Sequence, residues 1–557
     1  MALATLYARA LQSDKKLPEC HGIIIDHKFR PESSEEAAWV AEQLRSNFGM
    51  LSSIVELKWP EDLDMNDIKR FETEARRLRY KALGRACRDR RIESLLVAHH
   101  GDDLAETILM RLNRWRLRSG LQGMRAVTPI PECFGIYGVH HSGGRNSMSY
   151  ENLPFPIESG GVEVLRPLLR FEKKRLVATC EEYGTKWAED KTNQDKTLTS
   201  RNAIRHIMQH HTLPQALQAQ SLISLAKTMT LRIKTHAEVA ERLFNELRLR
   251  VDIQTGSLIV RFPPAEALLD RPIVTESDRI EARNTAALLL RRVADIVSPR
   301  DQLTIGQFAS AIDKIWSSLA TDAPHELDTM ETSFCVYGIW WEPWEGPSIF
   351  SPDRGAPVFE PHEWRLTRQP LEAYELRDHI LEIPSSLQQL LKDPTWHLFD
   401  GRWWIRILHP LRQSDITIRH FTDEDLKQLH KRPRSANNAA RHSFDHAYIR
   451  TALGLLKPYT LRRTLPAIFI KDGSAKDVLV GLPTLGCAIR DGKLIPVLKP
   501  TALPWEVRYK KADLGTRRVE DTVVRGVKDA DVMGAMRVAA MTGLRTSKVK
   551  KRVRFGE

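Results

Sequence analysis

Residues 95–112, "LLVAHHGDDLAETILMRL", carry the reading on which the fold turns. The run Ser94-Leu-Leu-Val-Ala98 is short, apolar and ends abruptly in His99 and His100, the pattern of a buried strand. A helix begins near Asp102 or Asp103. Leu104, Ile108 and Leu112 recur every four residues and face a core, while Asp103 and Glu106, three apart, share the opposite side. The plain alternative is that one Asp caps the helix and the rest is solvated surface. Capping uses one carboxylate and leaves a second Asp, Glu106 and two imidazoles without a task, so the constellation points to chemistry.

Upstream, Gly22-Ile-Ile-Ile-Asp26 reads as a second buried strand, ending in Asp26-His27. Helical patterns at 34–48 and 68–88 lie between the two strands. Strand, helix, strand at this spacing predicts an α/β unit with a doubly wound parallel sheet, whose ligands sit beyond the carboxyl ends of the strands. Both strand ends carry His and Asp, so the site belongs there.

Residues 129–161 interrupt the pattern with scattered Pro, Gly and Ser and read as a loop insertion. Helical periodicity returns at 171–183, 201–211 and 215–249. A hairpin-like piece follows at 251–262, then helices at 277–297 and 305–319. From about Thr332 the texture turns aromatic and β-rich, as in "CVYGIWWEPW" and "DGRWWIRIL". The expected division is a catalytic domain over 1–214 with the insertion at about 129–161, a helical middle domain over 215–325, a β-rich α+β region over 326–540 and a basic tail over 541–557. Trp340, Trp341, Trp344, Trp403 and Trp404 alternate along strands and read first as core, with base stacking as the alternative.

At 557 residues the chain is too long for one core. It contains no run of eighteen apolar residues and no signal-peptide core, so no membrane span is expected. The balance of 84 basic against 71 acidic residues leaves +13, which suits a polyanionic partner. Six cysteines lie far apart with no C-x-x-C. That spacing excludes a zinc ribbon or an iron–sulfur cluster and fits buried thiols in a reducing compartment.

"HHGDDLAET" resembles the H-H-x-D-D-x-x-E-T signature of tRNA(Ile)-lysidine synthetases, members of the PP-loop ATP pyrophosphatase superfamily. "IIIDHKFRPESSEEAAWVAEQL" resembles that family's second strand and helix. "FETEARRLRYKAL" matches its E-x-x-A-R-x-x-R-Y helix at Glu72, Ala75, Arg76, Arg79 and Tyr80, and "SGLQGM" its G-L-x-x-M. Arg166, Trp187, Asp190, Asn193, Arg201, Asn202 and Arg205 fall on its R-P-L-L, W-x-x-D-x-(S/T)-N and R-N-x-x-R patterns. Two departures stand out. Lys28 replaces the usual Gly of D-H-G, and "NRWRLR" replaces the Gly-rich turn before "SGL".

The resemblance implies a PP-loop, adenine nucleotide alpha hydrolase-like sheet and an ATP-dependent ligase. It would join free lysine to C2 of the wobble cytidine of a CAU-anticodon tRNA(Ile), with ATP and Mg²⁺ as cofactors. It further implies a catalytic set of Asp103, Glu106, His99 and Arg205. The two carboxylates would orient the lysine ammonium, take its proton or bind metal, with Asp103 as the candidate Mg²⁺ ligand. Asp26, His27, Arg76 and His100 would serve ATP, and Arg166 and Arg201 phosphate or tRNA. The C-terminal region would be a diverged tRNA-binding module. A homodimer is among the expected assemblies, and the mitochondrion, otherwise the cytoplasm, is the expected compartment.

In that family an S-G-G-x-D-S loop wraps the pyrophosphate with backbone N–H groups at a helix N-terminus. The helix after it reads much like "MALATLYARAL", so Met1 is expected to follow the loop directly. The sheet would then lack its first strand, expose apolar surface and fail to turn over ATP in this form. "HSGGRNS" at 141–147 and "ESGGVEV" at 158–164 look like the loop but lead into no helix. The rival readings are another PP-loop tRNA-modifying enzyme and a non-catalytic tRNA-binding pseudoenzyme.

Overall fold

Short apolar strands alternate with amphipathic helices through the first part of the chain, as the residue pattern predicts. In a computed structural model the described residues are 1–28, 32–61, 68–140, 147–148, 152–188, 200–320, 333–344, 363–372, 374–386, 395–408, 411, 414–430, 439–471, 477–489, 503–524 and 526–541. They form two units, one of residues 1–145 and 160–235, the other of 146–159 and 236–557.

The first unit runs α1 (Ala2–Ser13), β1 (His21–Asp26), α2 (Glu32–Phe48), β2 (Leu51–Glu56), α3 (Ile68–Asp89), β3 (Ser94–Leu96), α4 (Gly101–Asn113) and β4 (Val127–Pro129). After two strands of the other unit, β5 (Ser147–Met148) and β6 (Ile157–Glu158), it resumes with β7 (Glu163–Leu165), α5 (Lys173–Glu182) and α6 (Ser200–His210). The division then falls within α7 (Ala219–Glu246).

A doubly wound parallel sheet is the expectation; two hydrogen-bonded sets are found, one of them with an antiparallel strand. β1 pairs parallel with β2, from His21 opposite Leu51 to Asp26 opposite Glu56. β3 pairs parallel with β7, and β4 antiparallel with β7. Ile23 of β1 and Leu95 of β3 still pack on one cluster, built on Tyr80, Cys87, Cys133 and Val164. The two sets share a core without sharing a ladder. The isoleucines of β1 and the leucines of β3 are half-buried, not buried as the sequence suggests. The reason is geometric: among the described residues no strand bonds to the free edge of β1 or of β3.

α4 is anchored where its sequence says it should be. Leu104, Ala105 and Ile108 are buried against Leu169, Leu222 and Ala226. Its first residue, Gly101, donates its N–H to the Phe171 carbonyl at 2.7 Å. A Cβ there would stand 3.1 Å from that same oxygen, so the approach of chain to chain leaves little room for a side chain.

In the second unit β8 (Arg248–Asp252) and β9 (Ser257–Arg261) form the expected hairpin. α8 (Glu276–Val297) starts at Thr275, whose hydroxyl and the Asp278 carboxylate cap each other's N–H groups, a pairing that satisfies two otherwise orphaned donors. α9 (Ala309–Ile315) follows, then β10 (Phe334–Val336), β11 (Ile339–Pro343), β12 (Glu363–Arg368), β13 (Leu381–Ile383), β14 (Trp396–Phe399), β15 (Trp403–Ile407), β16 (Ile416–His420), β17 (Pro466–Lys471), β18 (Asp477–Leu482), β19 (Cys487–Ala488) and β20 (Trp505–Tyr509). The sheets run β10-β11-β12-β9-β8, β13-β16-β17-β18-β19 and β14-β15-β20-β6-β5.

Two expectations need correcting. The boundary near 325 does not separate two bodies, because β9, before it, pairs antiparallel with β12, after it, and both face one core. The segment read as a loop insertion over 129–161 is in part sheet: Ile157 of β6 pairs with Tyr509 of β20, and buried Glu158 accepts a 3.0 Å hydrogen bond from Arg508. Two-residue β6 has no sequence signal of its own; besides nearby β5, its partner β20 lies about 350 residues away. Trp341, Trp403 and Trp404 are fully buried, so for these three the core reading holds. No described helix is long and apolar enough to cross a membrane. "HSGGRNS" before Ser147 and the tail from 542 lie outside the described residues.

Candidate functional site

The carboxyl end of β3 delivers His99 and His100 to the N-terminus of α4, and α6 packs alongside. On α4, Asp103 and Glu106 are three residues apart. On α6, Arg201 and Arg205 are four apart, so each helix presents a pair on one side. The pairs meet. Glu106 Oε1 accepts from Arg205 Nε at 2.7 Å, and Oε2 from Arg201 Nε at 2.9 Å and Arg205 Nη2 at 3.0 Å. Both oxygens of this buried carboxylate are therefore taken. Glu106 shapes the guanidiniums more directly than it can serve a substrate ammonium. Burial works against the Arg205 cation, yet Glu106, Asp103 and Asp102 hold its pKa above the ordinary value.

Asp103 divides its work. Oδ2 accepts the His100 N–H at 3.0 Å, closing the first turn of α4, while Oδ1 meets Arg201 Nη2 and Arg205 Nη2 at 3.6 and 3.8 Å. Half of the bland capping reading thus holds for Asp103. Asp102 faces the other way and accepts the Lys173 N–H at 2.7 Å. His100 stands between the two, 3.4 Å from each carboxylate; beside it and the backbone N–H of Lys173, Asp102 is held below the usual carboxylate range.

His99 is the most perturbed group of the cluster. Burial pushes its pKa down to about 4; Asp103 opposes the shift, and Arg166, Arg201 and Arg79 reinforce it. The imidazole is neutral near pH 7, and its buried Nδ1 has no hydrogen-bond partner among the described residues. Arg166 is buried, with Nη1 on the Arg125 carbonyl at 3.0 Å and on Thr128 at 2.9 Å, and with Nε unpaired. Burial, with Arg76 and Arg201 nearby, also lowers the Arg79 pKa below its usual value, against the pull of Tyr80. An unpaired imidazole nitrogen among several cations is a donor set for an anion.

The remaining expected residues do other things. Asp26 is buried and its carboxylate accepts from Ser33 at 2.6 Å, Ser34 at 2.7 Å and the Lys28 N–H at 2.9 Å. Burial alone would raise its pKa, but these hydrogen bonds hold it well below the carboxylate range. It ties β1 to the start of α2. The His27 carbonyl accepts from the Trp59 indole at 2.7 Å. Arg76 pairs with Glu132 at 3.3 Å and lies over the Tyr80 ring. The structure therefore gathers Asp103, Glu106, His99, His100, Arg166, Arg201 and Arg205, and gives Asp26 separate partners. Ser33 and Ser34 are not among the expected site residues, although Ser33 falls within the stretch that resembles the family's second strand and helix and both open a helix in "ESSEE". Asp190 and Asn193 lie outside the described residues.

As a metal site the cluster is thin. Among the described residues no three acidic, His or Cys side chains gather to hold an ion. Glu106 is engaged, and Asp103 Oδ1 is the one carboxylate oxygen of the α4–α6 contact facing cations without a hydrogen bond. That set fits a single protein contact to a divalent ion carried on phosphates.

Residues 1–212 match the PP-loop domain family. Over those residues the chain is similar to that family. The matched stretch includes every element that builds the cluster, from β1 to α6. A protein named probable tRNA(Ile)-lysidine synthase from Schizosaccharomyces pombe is 26% identical over 470 residues, 84% of each chain. A tRNA(Ile)-lysidine synthase of Wolbachia sp. subsp. Brugia malayi is 31% identical over 194 residues, 34% of this chain and 37% of that one. One of Methylobacterium nodulans is 28% identical over 284 residues, 50% of this chain and 71% of that one. The chain is thus similar to proteins named tRNA(Ile)-lysidine synthase, over 84% of the Schizosaccharomyces pombe protein and over 37% of the Wolbachia protein.

Proposed function

We propose that the chain ligates free lysine to C2 of the wobble cytidine in a CAU-anticodon tRNA(Ile), at the expense of ATP. The observation that carries this reading is the α4–α6 contact: two arginines held in place by Glu106, with a neutral, unpaired imidazole beside them. In the first step the C2 oxygen of the base attacks the α-phosphorus, pyrophosphate leaves, and AMP becomes a good leaving group. In the second the lysine amine attacks C2 and displaces AMP, with loss of a proton from nitrogen. Arg201, Arg205 and Arg166 would offset the phosphate charge in both steps. His99 Nδ1 would pair with the bound adenylate. Asp103 Oδ1 would face the lysine ammonium or an Mg²⁺ that arrives with the triphosphate. Glu106 acts as a positioning residue for the two guanidiniums. Holding the amine and the activated base together supplies much of the remaining acceleration.

The test offers labelled lysine, ATP and Mg²⁺ to transcripts with CAU or GAU anticodons. It uses the protein expressed from its complete gene. Label should enter the CAU transcript alone, and nucleoside mass spectrometry should find the lysine on cytidine. No transfer by that protein would overturn the proposal.

A further inference from the structure

We propose that Trp115 is a stacking platform for an unpaired base of the RNA on which this domain acts. The inference rests on the reading above for its partner class and goes beyond it by naming a contact away from the α4–α6 cluster.

The residues that replace a glycine-rich turn, Asn113-Arg-Trp-Arg-Leu117, end α4. Trp115 takes a left-handed backbone with φ of 53°, a conformation that a bulky residue adopts only when its surroundings impose it. They do. The Trp115 N–H bonds to the Leu112 carbonyl at 3.0 Å and the Arg116 N–H to the Arg111 carbonyl at 2.8 Å. From below, Arg111 Nη1 holds the Gly120 and Gly123 carbonyls at 2.7 and 2.8 Å. The turn is therefore fixed at several points, and what it presents is an indole 85% exposed, the most exposed large hydrophobic side chain described. Its ring has no partner among the described residues.

A Trp normally buries most of its area, so an indole held outward by a pinned turn is a surface prepared for a flat apolar partner. Arg114 and Arg116 flank it, both exposed. Aromatic face and guanidiniums together are what unpaired nucleic acid recognises, the base on the ring and the phosphates on the cations. An apolar protein partner would instead have to strip water from two charges. Over the 13 residues of α4 the axis rises about 20 Å. A stacked strand advances about 3.4 Å per nucleotide. The indole thus lies within one hairpin loop and its closing pairs of a base reacting at the other end of the helix.

The test measures binding of the full 557-residue chain to a short RNA hairpin whose loop carries CAU, by fluorescence anisotropy. W115A should weaken the hairpin about tenfold, the loss expected for one base–aromatic stack. W115F should stay within about threefold of the native chain, since any aromatic face serves. Binding to a blunt duplex of the stem sequence should be unchanged by W115A. Equal hairpin affinity for W115A and the native chain would overturn the proposal, as would equal losses for W115A and W115F or a parallel loss for the duplex. Lysine transfer separates the two readings. A hairpin released by W115A in a chain that never ligates lysine keeps the stacking and removes the ligase; ligation with an unchanged KM for RNA in W115A does the reverse.

Discussion

The molecule builds nearly the same cluster of charges twice. At the start of α4, Glu106 and Asp103 face Arg201 and Arg205 beside His99. In the β-rich unit, at the turn between β14 and β15, Asp400 accepts from Arg402 at 2.9 and 2.6 Å and from Arg368 at 3.2 Å, beside His420. Burial pushes both histidines down to about 4. The difference is access. Arg201 and Arg205 keep 32% and 23% of their side-chain surface, whereas Arg402 has none. Arg402 also donates from Nη1 to the Thr255 carbonyl and from Nη2 to the Thr464 carbonyl. In the sealed cluster protein oxygens bind the guanidiniums, although neither ring nitrogen of buried His420 has a hydrogen-bond partner among the described residues, while in the open one the arginines keep contact with water. The same residue types meet solvent in one place and are shut away from it in the other.

The largest expected effect breaks the sealed cluster. D400N leaves two buried guanidiniums without their counter-charge and should destabilise the second unit by about 3–5 kcal/mol, read from urea unfolding by tryptophan fluorescence. E106Q removes the equivalent partner in the open cluster, where the arginines can turn to water. Its unfolding midpoint should move much less, but lysine transfer should fall about a hundredfold (roughly 2.7 kcal/mol). If E106Q unfolds the protein as D400N does, the contrast between the clusters is lost.

Acid should sharpen it. Each imidazole titrates near 6.5 when unfolded and near 4 when folded, so between those values the unfolded chain binds protons the native one refuses. Stability therefore falls as pH drops from 6.5 to 4. His420 faces Asp400, Arg402, Arg368, His379 and the Phe399 ring. H420Q should remove about 2–3 kcal/mol of that fall, and H99Q less, because solvent screens its half-open site. The smallest effect is also the most selective. ATP should raise the His99 titration midpoint by about one unit and leave His420 unchanged, as followed by imidazole NMR shifts.

What was legible in the residues follows from locality. β1, α2, α3, β3 and α4 declare themselves by period and by a motif whose members are close in sequence, and the α4–α6 contact pairs two such motifs. The separation of β1–β2 from β3–β7 did not show, because strand neighbours are set by hydrogen bonds between distant segments. Neither did the shared sheet of β9 and β12, or the role of Glu106, whose oxygens are claimed by residues 95 and 99 positions away. "DGRWW", read above only as β-rich texture, holds a tight turn: Asp400 and Gly401 take φ of 46° and 61°, and a Cβ on Gly401 would come within 1.9 Å of the Pro299 carbonyl oxygen. That Arg402 carries a buried charge there is invisible in a pentapeptide.

The strand β6 has a temporal consequence. Glu158 leaves the ribosome 350 positions ahead of Arg508, which at about 5–20 residues per second is on the order of 20–70 s of synthesis. Throughout that interval Ile157 has Met148 of β5 beside it and lacks the second neighbour, Tyr509, that joins the hairpin to its sheet. Slowing elongation, or cutting the gene between the halves, should therefore favour aggregates nucleated at this early strand, and expressing both halves together should suppress them.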